Sequence, residues 1–541
     1  MPRPPIPQTP RAADPSCTPT RTGPVGLARG TVVPDVVVIG SGLPELAAAL
    51  EFAEVGLSVV VVHPDSDTHP GRGIRVSPPA HARGDDDRPL RDPEGAIEGF
   101  LAQVAAPLSD PASAGIAPSE GSPAPAAPQG ALADASPVPS APGAVLLRGA
   151  AGSWCPQPTP ALLGIPAVPL SSRALAILGG GGATRAFLDR VKPVLTIGKT
   201  HALGKLVRSR LGDAALERLV DPFVRARYGV GPDDVEVAIA APGLNEALTR
   251  AGALTGAVLA LSERSVARET RIAPDGGWTA FGDALLERLG WYGVAVAEGP
   301  VTGVSRTGDG WRVETGGSGL EARAIVLGAD GVPGSDPHAD ALLDALVSEP
   351  DEAGEAAPDG ERREEDAVGT AAVGTAAVTR VRAHASFPID APALPAVDDD
   401  EAPGAGQPVA VQTVELPGGD SWSVEIARSR SGSWWAHAAG PVRDPHAAGD
   451  AAAMRDARAA VAAADIALRS GEPEHVEYRV APFATAEDRD AAARELAELR
   501  ERSRSLLVVG AALHGDDLGA ALADSRLAAV HLRRRLTGIA D

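Results

Sequence analysis

The stretch DVVVIGSGLPELAAALEFAEVGLSVVVVHP, residues 35–64, constrains this chain more than any other. Its two short runs, VVVI and SVVVV, have the unbroken, β-branched apolarity of parallel strands buried on both faces. Between them Leu46, Leu50, Ala53 and Val55 recur at helical spacing, so the stretch spells a βαβ unit. Gly40 permits a tight turn off the first strand, and Gly42 lets backbone approach a ligand, with Ser41 between them. Pro44 suits a helix's first turn, where its missing N–H costs nothing. The helix N-terminus then offers N–H groups and a positive dipole end to an anion, the arrangement of a dinucleotide diphosphate site. Two positions depart from that pattern. Glu45 stands where a third glycine normally allows close helix–strand packing. His63 ends the second strand where a carboxylate normally receives ribose hydroxyls, and Asp65 and Asp67 follow closely enough to substitute.

At 541 residues the chain exceeds one ordinary core, so two or three domains or large inserts are expected. The net charge of −22 argues against nucleic acid and against electrostatic adhesion to anionic lipid. Only three lysines occur, Lys192, Lys199 and Lys205, and arginine carries nearly all the positive charge. Two distant cysteines, Cys17 and Cys155, make neither a disulfide framework nor a metal cluster, which points to a reducing cytoplasm. The N-terminus lacks the apolar core of a signal peptide, and no run approaches the roughly 20 apolar residues that span a bilayer. A soluble or at most peripheral protein is expected.

Residues 1–33, 105–143 and 347–375 read as unstructured, because Pro, Ala, Ser and acidic clusters cannot bury enough apolar surface to offset backbone entropy. Elsewhere strand and helix alternate. Residues 201–228 read as a helix pair turning at Gly212-Asp213 and stopping at Asp221-Pro222, and 280–289 as an amphipathic helix. A hairpin turning at Gly308-Asp309-Gly310 follows, then buried strands in ARAIVLGAD and SLLVVGA, and a last helix over 518–536. The first and last strand–helix units can share one sheet.

Three stretches, LLRGAAGSWCPQPTPALLGIPAVPLSS, LGKLVRSRLGDAALERLVDPFVRARYGVGPDDV and GGWTAFGDALLERLGWYGVAVAEGPVTGVSRTGDGWRVET, resemble the protoporphyrinogen and coproporphyrinogen oxidases, within the FAD-dependent amine oxidase superfamily. The C-terminal LLVVGAALHGDDLGAALADSRLAA is similar to that family's final flavin-binding segment. The resemblance covers about two-thirds of the chain. It implies a flavin that removes hydrogens from a tetrapyrrole precursor, with dioxygen as acceptor and no protein acid–base pair. Carried over by position, Gly40, Ser41, Gly42 and the Glu45 position would face the FAD diphosphate, and His63 the ribose. Gly71 and Gly73 would form the following turn, and Val301 would meet the adenine through its backbone. Gly510 would end the last strand, with Gly515 and Leu518 near the flavin. Against this, Asp517 stands where the family has glycine, Asp516 adds an acid beside it, and Ala511 replaces a polar residue. Like charges a few ångström apart cost about 1 to 4 kcal/mol, so Glu45, Asp516 and Asp517 would crowd an anion-binding surface.

The remaining motifs have plainer readings. The eleven histidines show no metal-ligand spacing, and His437 and His446 read as surface residues. Trp434-Trp435 reads as part of a substrate-domain strand, more often core than the lining of a flat pocket. The run Gly179–Gly182 lacks a following Lys-Ser/Thr, so a loop is expected. Arg533-Arg534-Arg535 complements a helix C-terminus.

The expected fold is therefore α/β, with a discontinuous FAD/NAD(P)-binding, Rossmann-like domain in residues 34–77, 270–334 and 483–541. A tail over 1–33, inserts over 78–143 and 335–405, a substrate-binding and helical domain over 144–269, and substrate-domain strands over 406–482 complete it. The expected activity is a cytoplasmic FAD-dependent oxidoreductase with a small-molecule substrate, a porphyrinogen in the first instance, and no metal. The alternatives are a catalytically silent paralogue kept for ligand or protein binding, and a superfamily flavoenzyme with another substrate. No nucleic-acid partner is expected, and no membrane contact closer than a peripheral one.

Overall fold

The computed structural model describes residues 33–62, 76, 86, 88–106, 131–140, 143–192, 201–268, 271–297, 301–308, 310–315, 318–329, 380–395, 408–444, 449–469, 475–502 and 504–539. The chain begins with β1 (Val36–Ile39), α1 (Leu43–Ala53) and β2 (Val59–Val62). Next come β3 (Leu90–Arg91), α2 (Ala96–Ala105), α3 (Ala131–Asp134), β4 (Pro137–Ser140), β5 (Val145–Arg148) and β6 (Trp154–Pro156). A small ribbon, β7 (Ala161–Leu162) and β8 (Ile165–Pro166), leads into a helical stretch. It contains α4 (Ser172–Phe187), α5 (Leu203–Leu211), α6 (Asp213–Ala215), α7 (Asp221–Tyr228), α8 (Val237–Ala240), α9 (Leu244–Ala251) and α10 (Leu254–Arg268). Then follow β9 (Arg271–Pro274), α11 (Gly277–Trp291), β10 (Ala295–Ala297), β11 (Val301–Thr307), β12 (Gly310–Thr315), β13 (Ser318–Ala322) and β14 (Ala324–Gly328). The remainder holds β15 (Val381–Ile389), β16 (Val409–Glu415), β17 (Ser421–Arg428), β18 (Trp434–Ala439), α12 (Asp450–Ala463) and β19 (His475–Val480). It closes with α13 (Ala486–Arg502), β20 (Leu506–Val509) and α14 (Leu518–Leu536).

Five strands form an all-parallel sheet in the order β10-β2-β1-β14-β20. Val36 pairs with Val59 on one side and Ala324 on the other, and Ile325 pairs with Leu506. Alternation along β1 sends Val36 and Val38 into a core with α1, α2, α11 and α14. It sends Val37 and Ile39 the other way, against the three-stranded sheet β11-β12-β13. Both faces are thus covered, which is why β1, β2 and β20 are apolar throughout. This is the Rossmann-like layout expected, and residues from three distant segments build it.

A second sheet of seven strands runs β19-β15-β18-β17-β16-β5-β6, antiparallel except where β16 meets β5. Ala383, Ala385, Phe387 and Ile389 of β15 pack with α12 on one face. Arg382, His384, Ser386 and Pro388 alternate onto the other, so this sheet has an apolar back and a polar front. The helical segment folds around its own core, including Leu203, Leu219 and Leu254.

Three local expectations need correction. Asp221-Pro222 does not stop a helix: it starts α7, with proline in the first turn, where no N–H is needed. The Gly179–Gly182 run is not a loop but lies in α4, which breaks at Gly179 (φ 73°) and resumes. Residues 131–140, expected to be unstructured, form α3 and β4, and β4 pairs with β9 from Pro137 to Ser140.

Candidate functional site at the carboxyl edge of the parallel sheet

In a doubly wound sheet a ligand binds beyond the carboxyl ends of the strands, where the chain leaves in opposite directions from neighbouring strands. Here that point lies between β1 and β14. Three glycines stand side by side along the edge: Gly40 after β1, Gly328 ending β14 and Gly510 after β20. Gly40 (φ 133°) and Gly510 (φ 147°) hold backbone conformations that other residues rarely adopt. A Cβ at Gly510 would lie 2.7 Å from the Ala329 carbonyl carbon, so only glycine lets the end of β20 pass β14. Gly328 belongs to no motif in the sequence; its one signal there is its place at the end of a buried apolar strand.

The glycine edge is filled from within the chain. Glu45 sits in the first turn of α1 and is 1% exposed. Its Cγ is 2.9 Å from where a Cβ on Gly40 would stand, and its Oε1 is 2.3 Å from that point on Gly328. The carboxylate therefore lies across both strand ends, in the crevice where a dinucleotide would bring its diphosphate. Pro44 also withholds one of the first turn's N–H groups. Gly42 is the residue before the helix and makes no side-chain cap, and Ser41 is buried beside it.

At the other end of the edge, α14 presents the second helix N-terminus expected near a flavin. Gly515 (φ 63°) and Asp516 (φ 61°) make consecutive left-handed turns into it. Asp517 then caps the helix, its Oδ1 accepting from the Ala520 N–H at 3.0 Å. A second carboxylate, Asp92, is buried nearby. It accepts from the N–H groups of Ile97 and Glu98, at 3.2 and 2.8 Å, and its Oδ1 is 3.6 Å from the Cβ position of Gly519. Protein carboxylates thus occupy the anion-favouring ends of α1, α2 and α14. FAD carries a diphosphate, and a reduced flavin carries a further negative charge. The residues at this edge do not fit that group as they are arranged.

The other expected site residues are spread out. Leu518 is buried in the main core, and Val301 packs between the two sheets while pairing with Thr315. His63, Gly71 and Gly73 lie outside the described residues, as does His446. Among the described residues no group of three or more His, Cys, Asp and Glu is placed to hold a metal, and no helix is long and apolar enough to cross a membrane.

The polar front of the seven-stranded sheet is the second notable surface. Ser386, His437 and Glu425 stand in register across β15, β18 and β17. The expectation of a surface His437 is wrong: it is 8% exposed, with Nδ1 2.8 Å from Ser386 Oγ and its ring stacked near that of Trp435. Burial, then the charges of Arg88 and Arg479, push its pKa well below the ordinary value, so the ring is neutral at pH 7. Alternation hid this, because His437 sits between the alanines of AHAAG. Arg88 pairs with Glu425 at 2.8 Å, and Arg479 pairs with Glu477. Arg382 reaches the carboxyl end of α7, donating to the carbonyls of Arg225, Ala226 and Arg227 and also to that of Gly440. Burial first, and Arg479 second, push its pKa down to about 10. The charge of Asp516 acts on both Arg382 and Arg479, so this front looks toward the turn before α14. Trp434 and Trp435 lie in β18 as expected and remain partly exposed.

No family profile matches the sequence, and no curated protein matches it. Solved structures do match the fold. One is provisionally named a protoporphyrinogen oxidase, from Exiguobacterium sp. 255-15, with a TM-score of 0.60 and 16% identity over 94% of this chain and all of that one. Another is an oxidoreductase from Methanosarcina mazei, with a TM-score of 0.50 and 12% identity over 91% of this chain and 99% of that one. At such identities the likeness shows the architecture, a Rossmann-like domain with a separate substrate domain.

Proposed function

We propose that this chain keeps the frame of an FAD-dependent oxidoreductase of the amine oxidase superfamily and works as a binding protein rather than a flavin oxidase. Glu45 carries the reading. A buried carboxylate across Gly40 and Gly328 takes the place where the diphosphate would lie, and it repels that group as well as excluding it. The caps at Asp517 and Asp92 support the same conclusion at the flavin end. The ligand surface of such a protein would be the polar front around Ser386, Glu425, Trp435 and His437.

A second reading, an active FAD-dependent oxidase acting on a porphyrinogen or another cyclic or amine substrate, is favoured by that same front. A partly exposed polar sheet face turned toward Asp516 is where a substrate would have to lie. The visible spectrum of the purified protein, before and after incubation with FAD and removal of excess, separates the two. The binding reading expects a colourless protein. About one equivalent of retained flavin would overturn it and restore the oxidase.

A further inference from the structure

On the back of the seven-stranded sheet, the face away from Ser386 and His437, the residues Trp422, Gly440, Ala383 and Tyr478 stand in one row across β17, the end of β18, β15 and β19. Ala383 pairs with Tyr478, and the Gly440 N–H donates to the Ala383 carbonyl at 2.9 Å. The Trp422 ring lies against Gly440, with Cζ2 3.1 Å and Cε2, the atom bonded to Nε1, 3.4 Å from where a Cβ would stand. Two small residues between two aromatic ones leave a trough, and the start of α12 crosses it at Gly449 and Ala453. The result is a pocket of about 220 Å³, to which Arg443 and Asp456 add charged walls. Its neutral polar groups are donors. Trp422 is 2% exposed, and its Nε1–H has no acceptor among the described residues, an arrangement that is costly to leave unmet. Tyr478 Oη accepts from the Gly449 N–H at 2.9 Å, which leaves its own proton to donate. Burial, helped by the charges of Asp450 and Asp456, pushes the Tyr478 pKa up, so that proton stays in place at neutral pH.

We propose that this pocket binds a small uncharged carbonyl compound, a cyclic amide or ketone whose oxygen accepts from Trp422 and Tyr478. An apolar cavity of about 150 Å³ admits benzene, so the volume suits a molecule of about six to eight heavy atoms. An ammonium group is excluded from the donor end, because it would need acceptors there. A carboxylate is disfavoured by the local charge. Arg443 is paired with Asp420 and Arg455 with Asp456, so the further charge of Asp450 makes the balance of these groups negative. Asp456 also offers an acceptor to an amide N–H, which favours the amide over the ketone. The site lies on the opposite face from the polar front, and it is independent of whether the glycine edge holds a dinucleotide.

The test is a saturation-transfer NMR titration of the full chain with δ-valerolactam, and with cyclopentanecarboxylate and piperidine as charged counterparts. Saturable binding of the lactam is expected, with each charged probe weaker by roughly five-fold or more. Trp422→Phe keeps an aromatic wall and removes the donor, and it should weaken lactam binding by roughly 3- to 10-fold. Ala453→Leu fills the pocket from the α12 side and should abolish binding. Circular dichroism checks that both variants fold, and Trp422→Phe alone decides the matter if Ala453→Leu does not. The proposal is overturned if the lactam shows no saturable binding at millimolar concentration, or if the carboxylate binds as tightly. It is also overturned if folded Trp422→Phe binds the lactam as the parent does, which would put the lactam at another site and leave the indole N–H to water.

Discussion

Replacing Glu45 with glycine should convert the edge of the parallel sheet into a dinucleotide site, or at least weaken its resistance to one. The side chain lies within van der Waals distance of both strand-end glycines, so a diphosphate in that crevice would meet its carboxylate at about 4 Å. One like-charge pair at that distance costs about 1 kcal/mol in water and about 4 kcal/mol at the effective dielectric of a protein surface. Two phosphate charges double this, so removing the carboxylate should tighten binding by at least about 30-fold from charge alone. The glycine itself weakens α1 by up to about 1 kcal/mol, a loss a well-packed helix tolerates. Quenching of flavin fluorescence during titration with FAD gives the affinities, and ADP, followed by calorimetry, isolates the diphosphate end. Glu45→Gln, which keeps the volume and loses the charge, should recover only part of the gain, and the difference between the two variants measures steric exclusion. The reasoning fails if the parent protein binds FAD as tightly as Glu45→Gly does. It fails equally if a folded Glu45→Gly binds neither FAD nor ADP.

Other outcomes follow from buried polar groups. Asp524 lies 2.8 Å from Arg500 Nη1 and 3.2 Å from His514 Nε2; burial alone would raise its pKa, but these partners hold the carboxyl well below the usual range. Its contribution is therefore present above the unfolded carboxyl's pKa and lost as pH falls, so Asp524→Asn should cost about 1 to 3 kcal/mol at pH 7, a gap that narrows below about pH 4 in urea unfolding. His437 has a depressed pKa, so the unfolded chain binds its proton more readily and stability drops as pH falls below about 6.5. His437→Gln should flatten that slope by up to about 1.4 kcal/mol per pH unit. Arg382→Leu removes the buried donor to four backbone carbonyls and should cost about 3 to 5 kcal/mol, measured by the same unfolding. Gly510→Ala combines a φ of 147° with a 2.7 Å contact and should cost about 1 to 3 kcal/mol, mostly as faster unfolding.

Much of the frame was legible because it follows period and punctuation. The runs at 36–39, 59–62, 324–328 and 506–509 are too uniformly apolar to be anything but strands buried on both faces, and α14 matches its expected span. The departure at Glu45 was equally legible, since a glutamate in the third glycine position is visible without coordinates. Where its carboxylate goes was not, because that depends on Gly328, almost 300 residues away. His437 was misread for a related reason. Burial of a histidine among small residues is set by strands that pair across the sheet, and local sequence carries no trace of Arg88 or Arg479. Arg533 was read as complementing a helix end, yet its Nη1 also donates to the Glu51 carbonyl at 2.8 Å and its carboxylate at 2.9 Å, fastening α14 to α1.

The strand order has a consequence for synthesis on the ribosome. β14 is complete at Gly328, but the strand that covers its outer edge, β20, ends at Val509, roughly 180 residues later. At about 5 to 20 residues per second that edge waits about 10 to 40 seconds for its partner. An apolar strand with open N–H and C=O groups is a template for any other strand that arrives first. This protein is thus exposed to mispairing during its own translation, and slower elongation through the last third of the message, or loss of the final 40 residues, should send it to chaperones or aggregates.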